Sequence, residues 1–106
     1  MSTEIKTTSP IDDSIVWRGT ETTSQQVNDT IERARIAGEA WRRVDPRQRE
    51  QIVRDYGQYI DANRDEITKL ITREVGKLPW DAAGEVNAAV AKAEISIGAF
   101  GQRRSR

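Results

Sequence analysis

The sequence predicts a mainly α chain, a short β-hairpin or strand followed by four helices. Three observations carry this. Apolar residues recur at spacings of three and four through four separate stretches, which builds one apolar stripe on each. Helix-start and helix-stop residues punctuate those stretches, chiefly Asp45-Pro46, Asn63, Gly76 and Pro79. The β-prone run Ile15-Val16-Trp17, closed by Gly19, stands ahead of them all.

Taken in order, residues 1–8 are polar and without periodicity, and are expected to be loose. Ser9-Pro10-Ile11-Asp12-Asp13-Ser14 reads as a turn, because Pro presets a turn backbone and Asp and Ser bond to their own main chain. Residues 9–19 therefore form a turn and a strand of about four residues. A lone strand is marginal in water, and Ile5 to Thr8 is the only weak candidate for its neighbour. Thr20 to Ser24 is a polar linker ending in a helix cap, and residues 25–100 read as helical. The first helix, over about 25–42, spaces Val27, Ile31, Ala34, Ala37 and Trp41 along one side, with Glu32, Arg33, Arg35 and Glu39 opposite.

Asp45-Pro46-Arg47-Gln48 opens the second helix, with Asp as cap, Pro at the first helical position and Gln three residues after the cap. It presents Ile52, Val53, Tyr56 and Ile60, and Gly57 is a weak point of about 0.5–1 kcal/mol relative to Ala. Asn63 with Glu66 repeats the capping pattern and opens a third helix carrying Ile67, Leu70, Ile71 and Val75. Gly76 supplies the left-handed backbone that ends a helix cheaply. Pro79 suits the first turn of a fourth helix, which runs through Ala83, Val86, Val90, Ala93 and Ile97 to about Phe100. Short connections favour consecutive helices packing as antiparallel neighbours.

Lys and Arg together number 17, as do Asp and Glu, so no global charge points to nucleic acid or to an acidic tail. The chain has no cysteine and no histidine, which excludes a thiolate or a Ser-His nucleophile and any sulfur or imidazole metal site within it. No signal peptide or bilayer-spanning run is visible, and the expectation is a soluble cytoplasmic protein without membrane or nucleic-acid partners. Leu, Ile, Val and Phe total 21 of 106 residues, short of core for this length.

No residue is assigned a catalytic, cofactor-binding or metal-binding role. Asp12-Asp13 and Asp65-Glu66 sit at turn and cap positions and read as capping or solvated carboxylates. Lys77, just past a helix end, reads as a partner of the last carbonyls. Trp41 and Trp80 lie on apolar stripes and read as core, while Trp17 is open between core and stacking surface. Neither a G-x-G-x-x-G nor a Walker pattern is present. Arg103, Arg104 and Arg106 form a short solvated end.

Glu74-Val75-Gly76-Lys77, followed by Glu85-Val86, resembles the E-x-G-K…E-V signature near the start of aldehyde dehydrogenases. The resemblance extends over nearly the whole chain. Ser9-Pro10-Ile11-Asp12…Trp17-Arg18-Gly19 looks like the hairpin that precedes the first helix of that family. Ala34, Ala37, Ala40 and Trp41 resemble the end of that helix, and Arg49…Ile52 and Glu66…Leu70-Ile71 resemble the next two. Among subfamilies, Gly76 to Ala83 and Ile95-Ser96-Ile97 look most like the succinylglutamic semialdehyde dehydrogenases of arginine breakdown.

The resemblance implies an incomplete N-terminal part of an α/β dehydrogenase fold. In that family a cysteine thiolate attacks the aldehyde, hydride passes to NAD or NADP, and a glutamate activates the water that cleaves the thioester. The segments that supply those groups and the cofactor site lie downstream of the matched region. The expectation is therefore a truncated family protein that holds no cofactor itself and does not oxidise aldehydes alone. Its expected partner is the remainder of a dehydrogenase or a second copy of itself. The alternative is a small helical protein–protein interaction module.

Overall fold

The computed structural model describes residues 3–104. Two strands, β1 (Glu4–Thr8) and β2 (Ile15–Thr20), precede four helices, α1 (Ser24–Trp41), α2 (Pro46–Ala62), α3 (Arg64–Val75) and α4 (Pro79–Arg104). The mainly α expectation with a β-hairpin ahead of four helices holds.

The loose segment expected over 1–8 does not hold for the described part. Glu4–Thr8 pairs antiparallel with β2, Ile5 opposite Gly19 and Thr7 opposite Trp17, and an irregularity between Thr7 and Thr8 brings Thr8 opposite Ile15. The turn that joins the strands is built by side chains. Ser9 is buried, its Oγ accepts from the Ile11 amide at 3.2 Å, and Asp12 Oδ1 accepts from the Ser14 amide at 3.0 Å. Asp13 takes the left-handed conformation at φ 58°, which Asp tolerates better than most side chains.

Helix ends follow local chemistry, with differences of detail. Thr23, not Ser24, caps α1, in a reciprocal box in which its Oγ1 accepts from the Gln26 amide and the Gln26 side chain accepts from the Thr23 amide. Asp45 caps α2 through the Arg47 amide at 2.9 Å, with Pro46 at the first position. Asn63 does not cap α3 with its side chain. It is the one residue between α2 and α3, and its Nδ2 turns back to donate to the Tyr59 carbonyl at 2.8 Å, closing α2 instead. Gly76 ends α3 at φ 74°. α4 runs past Phe100 and through Gly101 to Arg104, whose guanidinium lies 5.4 Å from the Phe100 ring centre.

α4 is the organising element and packs along both α2 and α3. Among the described residues, the buried apolar side chains are Ala82, Val86 and Ala93, all on α4. Gly57 proves to be a contact rather than a weak point. A Cβ added there would stand 3.0 Å from that of Ala93, so its missing side chain sets how closely α2 approaches α4. Arg54 Nε fastens the same pair by donating to Glu94 at 2.8 Å. Antiparallel packing of consecutive helices fails for α1, which buries no residue and makes no extended contact with another described element.

The outcome is an open body. Its radius of gyration is 18.2 Å, against about 13 Å for a compact domain of this length. Its accessible surface is 8672 Å², against roughly 6,000 Å² for a folded monomer of 12.0 kDa. Trp41 and Trp80, expected in the core, are 42% and 74% exposed, because the stripes that carry them lack a facing layer. Trp17 is exposed as well, its ring lying over Gly19. None of the described helices is long and apolar enough to cross a membrane.

Candidate functional site

Two places gather distinctive residues. One is the corner where α3 turns into α4. Gly76 there is in the left-handed region, and a Cβ on it would stand 3.0 Å from Pro10 Cγ, so the hairpin turn rests against the end of α3. The next residue, Lys77, does not reach back to the α3 carbonyls. Its Nζ donates to Glu85 Oε1 at 2.6 Å and lies 3.9 Å from Asp81, because α4 begins at Pro79 and presents both carboxylates to the corner. The Glu85 hydrogen bond, with Asp81 nearby, raises the Lys77 ammonium above its ordinary value. That is a lysine held as a cation, the opposite of the depressed amine needed for nucleophilic catalysis. Across the corner, hydrogen bonds from the Ser14 side chain and then its amide lower the Asp12 carboxyl, keeping it an acceptor in the turn.

The other place is a groove between α2 and α4. Its upper part, a cavity of about 190 Å³, is lined by Trp41, Arg49, Val53, Ile97 and Phe100 among others. It continues past Tyr56 and Ile60 on one side and Ala89 and Ala93 on the other. Arg49 Nε is shielded from solvent and lacks a hydrogen-bond partner, as do Thr7 Oγ1 and Thr72 Oγ1. Shielded donors and hydroxyls usually find a partner, and these three, on α2, β1 and α3, do not.

Asp65 and Glu66 lie in the first turn of α3, exposed, where they favour the positive end of the helix dipole. Among the described residues no three His, Cys, Asp or Glu side chains gather as metal ligands. A dinucleotide pyrophosphate is normally held by a glycine-rich turn between a strand and a helix N-terminus. Here Gly38, Gly57, Gly84, Gly98 and Gly101 lie inside helices, Gly19 lies in β2, and Gly76 closes α3. No glycine-rich strand-to-helix turn of that kind stands among the described residues. Of the Arg-rich end, Arg103 and Arg104 belong to the last turn of α4, and Arg106 lies outside the described residues. The Arg49 groove and the Lys77 partners were not legible in the sequence, since both depend on which helix crosses which.

Comparison with known proteins gives the context for this geometry. The model of the aldehyde dehydrogenase family matches residues 1–105. The chain is 35% identical over 100 residues to an N-succinylglutamate 5-semialdehyde dehydrogenase of Shigella boydii serotype 4, covering 91% of this chain and 20% of that protein. It is 36% identical over 96 residues to the protein of the same name from Salmonella typhimurium, with the same coverage. The Acinetobacter baylyi protein of that name is 34% identical over 100 residues, covering 94% of this chain and 20% of its own length. The chain thus spans about a fifth of the length of the curated relatives it matches.

Proposed function

The chain belongs to the aldehyde dehydrogenase family, and from that premise we propose that it is the helical opening section of an aldehyde-oxidising enzyme. The substrate of the whole enzyme is an aldehyde of the N-succinylglutamate 5-semialdehyde type, converted to a carboxylate in cytoplasmic arginine breakdown. NAD or NADP and the reacting groups are supplied by parts of the enzyme other than these 106 residues. The observation that carries this reading is similarity over nine-tenths of the chain to relatives of which it spans only about 20%. The packing supports it. Surface in excess of a compact monomer by about 2,700 Å² is what a section looks like when the rest of its core is contributed from elsewhere.

The role of the section is then structural. β1, β2 and the Gly76 corner fix how the hairpin meets α3, and the apolar groove between α2 and α4 is offered to a second layer. The test uses the purified chain with NAD and the semialdehyde, following NADH absorbance. No turnover is expected from the chain alone. Turnover is expected once it is refolded together with the part of the Acinetobacter baylyi relative that the chain does not span. NADH formed by the chain alone would refute the assignment of the chemistry to other segments, and failure of the two parts to associate would refute the structural role.

A second reading, a small helical interaction module, is favoured by one specific observation. α1 is a capped helix of 18 residues with no buried side chain, an arrangement suited to a partner's groove.

A further inference from the structure

α1 and the α2/α4 groove are made to the same pattern. The α1 stripe is Val27, Ile31, Ala34, Gly38 and Trp41, with steps of four, three, four and three. The α2 wall of the groove steps by three and four from Pro46 through Arg49, Val53 and Tyr56 to Ile60, and the α4 wall by four and three through Ala89, Ala93, Ser96 and Phe100. Alternating steps of three and four are the heptad spacing with which helices interdigitate at a shallow angle. Val27 to Trp41 and Pro46 to Ile60 each span about 21 Å at the α-helical rise. Ala34 and Gly38 leave the middle of the stripe flat, and nothing lies within 4 Å of where a Gly38 Cβ would stand. The stripe therefore admits a close approach.

α1 cannot reach its own groove while the corner after it holds. The amides of Arg42, Arg43 and Val44 donate to the Gly38, Ala40 and Trp41 carbonyls, each at 3.1 Å, so helical turns continue to the residue before the Asp45 cap. That corner directs α1 away, leaving Trp41 alone of its stripe at the mouth of the groove.

We propose that the groove is filled by α1 of a second copy of this chain, and that the second copy's groove receives α1 in return, in a closed two-fold dimer. The exchange is isologous, so no open surface remains to propagate a fibre. The area is also sufficient. Each chain carries about 2,700 Å² beyond a compact monomer, so a pair has roughly 5,400 Å² to cover, and obligate interfaces bury in total roughly 2,000–5,000 Å² or more across both partners. The inference concerns association of the chain by itself and stands apart from the aldehyde chemistry.

Light scattering on the purified full chain is expected to give twice its 12.0 kDa mass. Ala34→Glu, in the stripe, should return the mass to that of one chain. Ile36→Glu, on the opposite side of α1, should leave the doubled mass intact. α1 buries nothing within its own chain, so neither variant endangers the fold of the rest. The chain contains no cysteine, so a pair can be placed cleanly. Ala34 and Ser96 are the midpoints of stripe and groove and meet whichever way α1 runs. An equimolar mixture of Ala34→Cys and Ser96→Cys chains should form the mixed disulfide on oxidation. A single-chain mass for the unmodified protein, a doubled mass that survives Ala34→Glu, or absence of the mixed disulfide would each overturn the proposal. So would an internal disulfide in the double-cysteine chain at single-chain mass, which would mean that α1 folds onto its own groove.

Discussion

The contact of Gly57 with Ala93 can be tested by moving one methyl group across it. Gly57→Ala adds a Cβ 3.0 Å from the Ala93 Cβ, closer than methyl groups pack. The substitution gains about 0.8–1.0 kcal/mol of helix propensity, but forcing a methyl into a filled contact costs about 1–3 kcal/mol. A net loss of about 1 kcal/mol is expected. Ala93→Gly loses the same propensity and the burial of one methyl, near 0.8 kcal/mol, for a total of about 1.7 kcal/mol. In the double variant the two propensity changes cancel, and one methyl again lies between α2 and α4. Its stability should fall within about 0.5 kcal/mol of the unmodified chain, a coupling of about 2–3 kcal/mol, at the upper end of the range for touching residues.

Far-UV circular dichroism during heating or urea unfolding reads all four proteins. At about 4–8 °C per kcal/mol for a domain of this size, the single variants are well resolved from the double. Simple additivity would refute the reasoning, because it would mean that the two positions do not meet and that α2 reaches α4 by other residues.

Other consequences follow from single residues. Gly76→Ala should lose about 1–2 kcal/mol from the left-handed backbone alone, with more from its close approach to Pro10, read as a lower melting midpoint. Thr23→Ala removes one side of the capping box and should cost about 1 kcal/mol, visible as lost ellipticity from α1, while Thr23→Ser should restore it. Lys77→Met should leave the melting midpoint nearly unchanged despite the 2.6 Å bond to Glu85, since exposed pairs contribute little. The Asp12 carboxyl is lowered in the folded turn, so its contribution is present above the ordinary carboxylate value near 3.9 and lost as pH falls through the lower folded one. Acid titration of the unmodified chain should therefore show a hairpin transition that Asp12→Asn lacks.

Helix boundaries were legible because they are set by backbone chemistry within a few residues. Asp45-Pro46 starts α2 through its own side-chain cap and a φ already suited to the first turn, and Gly76 supplies its positive φ from its own lack of a side chain. What depends on a distant partner was not. β1 was legible only as a weak partner for the Ile15 strand over Ile5 to Thr8, because neither of its faces is buried and no alternation marks it. Gly57 looks like a flaw to a propensity scale that knows nothing of Ala93 36 positions away. Trp80 follows the helical period yet is exposed, because a stripe shows which side of a helix is apolar but not whether anything faces it. For the candidate site, absent thiol and imidazole are facts of sequence, whereas the Arg49 groove and the Lys77 partners exist only once α4 lies across α2 and α3.

That last distinction bears on why so open a body keeps its shape at all. Ala82, Val86 and Ala93 bury little side-chain volume between them, and full burial of a valine contributes only about 1.5–3 kcal/mol. Local terms must supply the rest: two side-chain caps, a left-handed stop and ties such as Arg54 to Glu94. Each contributes on the order of 1 kcal/mol and acts on one helix or one pair, not on the whole. Such terms fix where helices begin and end, but cooperative unfolding needs shared burial. The chain held as a single copy, as in Ala34→Glu, should therefore lose α1 ahead of the α2–α4 pair as temperature rises. Covering the groove, whether by a second copy or by the remainder of a dehydrogenase, should merge those steps into one. A single sharp transition in the monomer, with α1 and α4 amides exchanging at one rate, would show that local terms suffice and that the open faces need no partner.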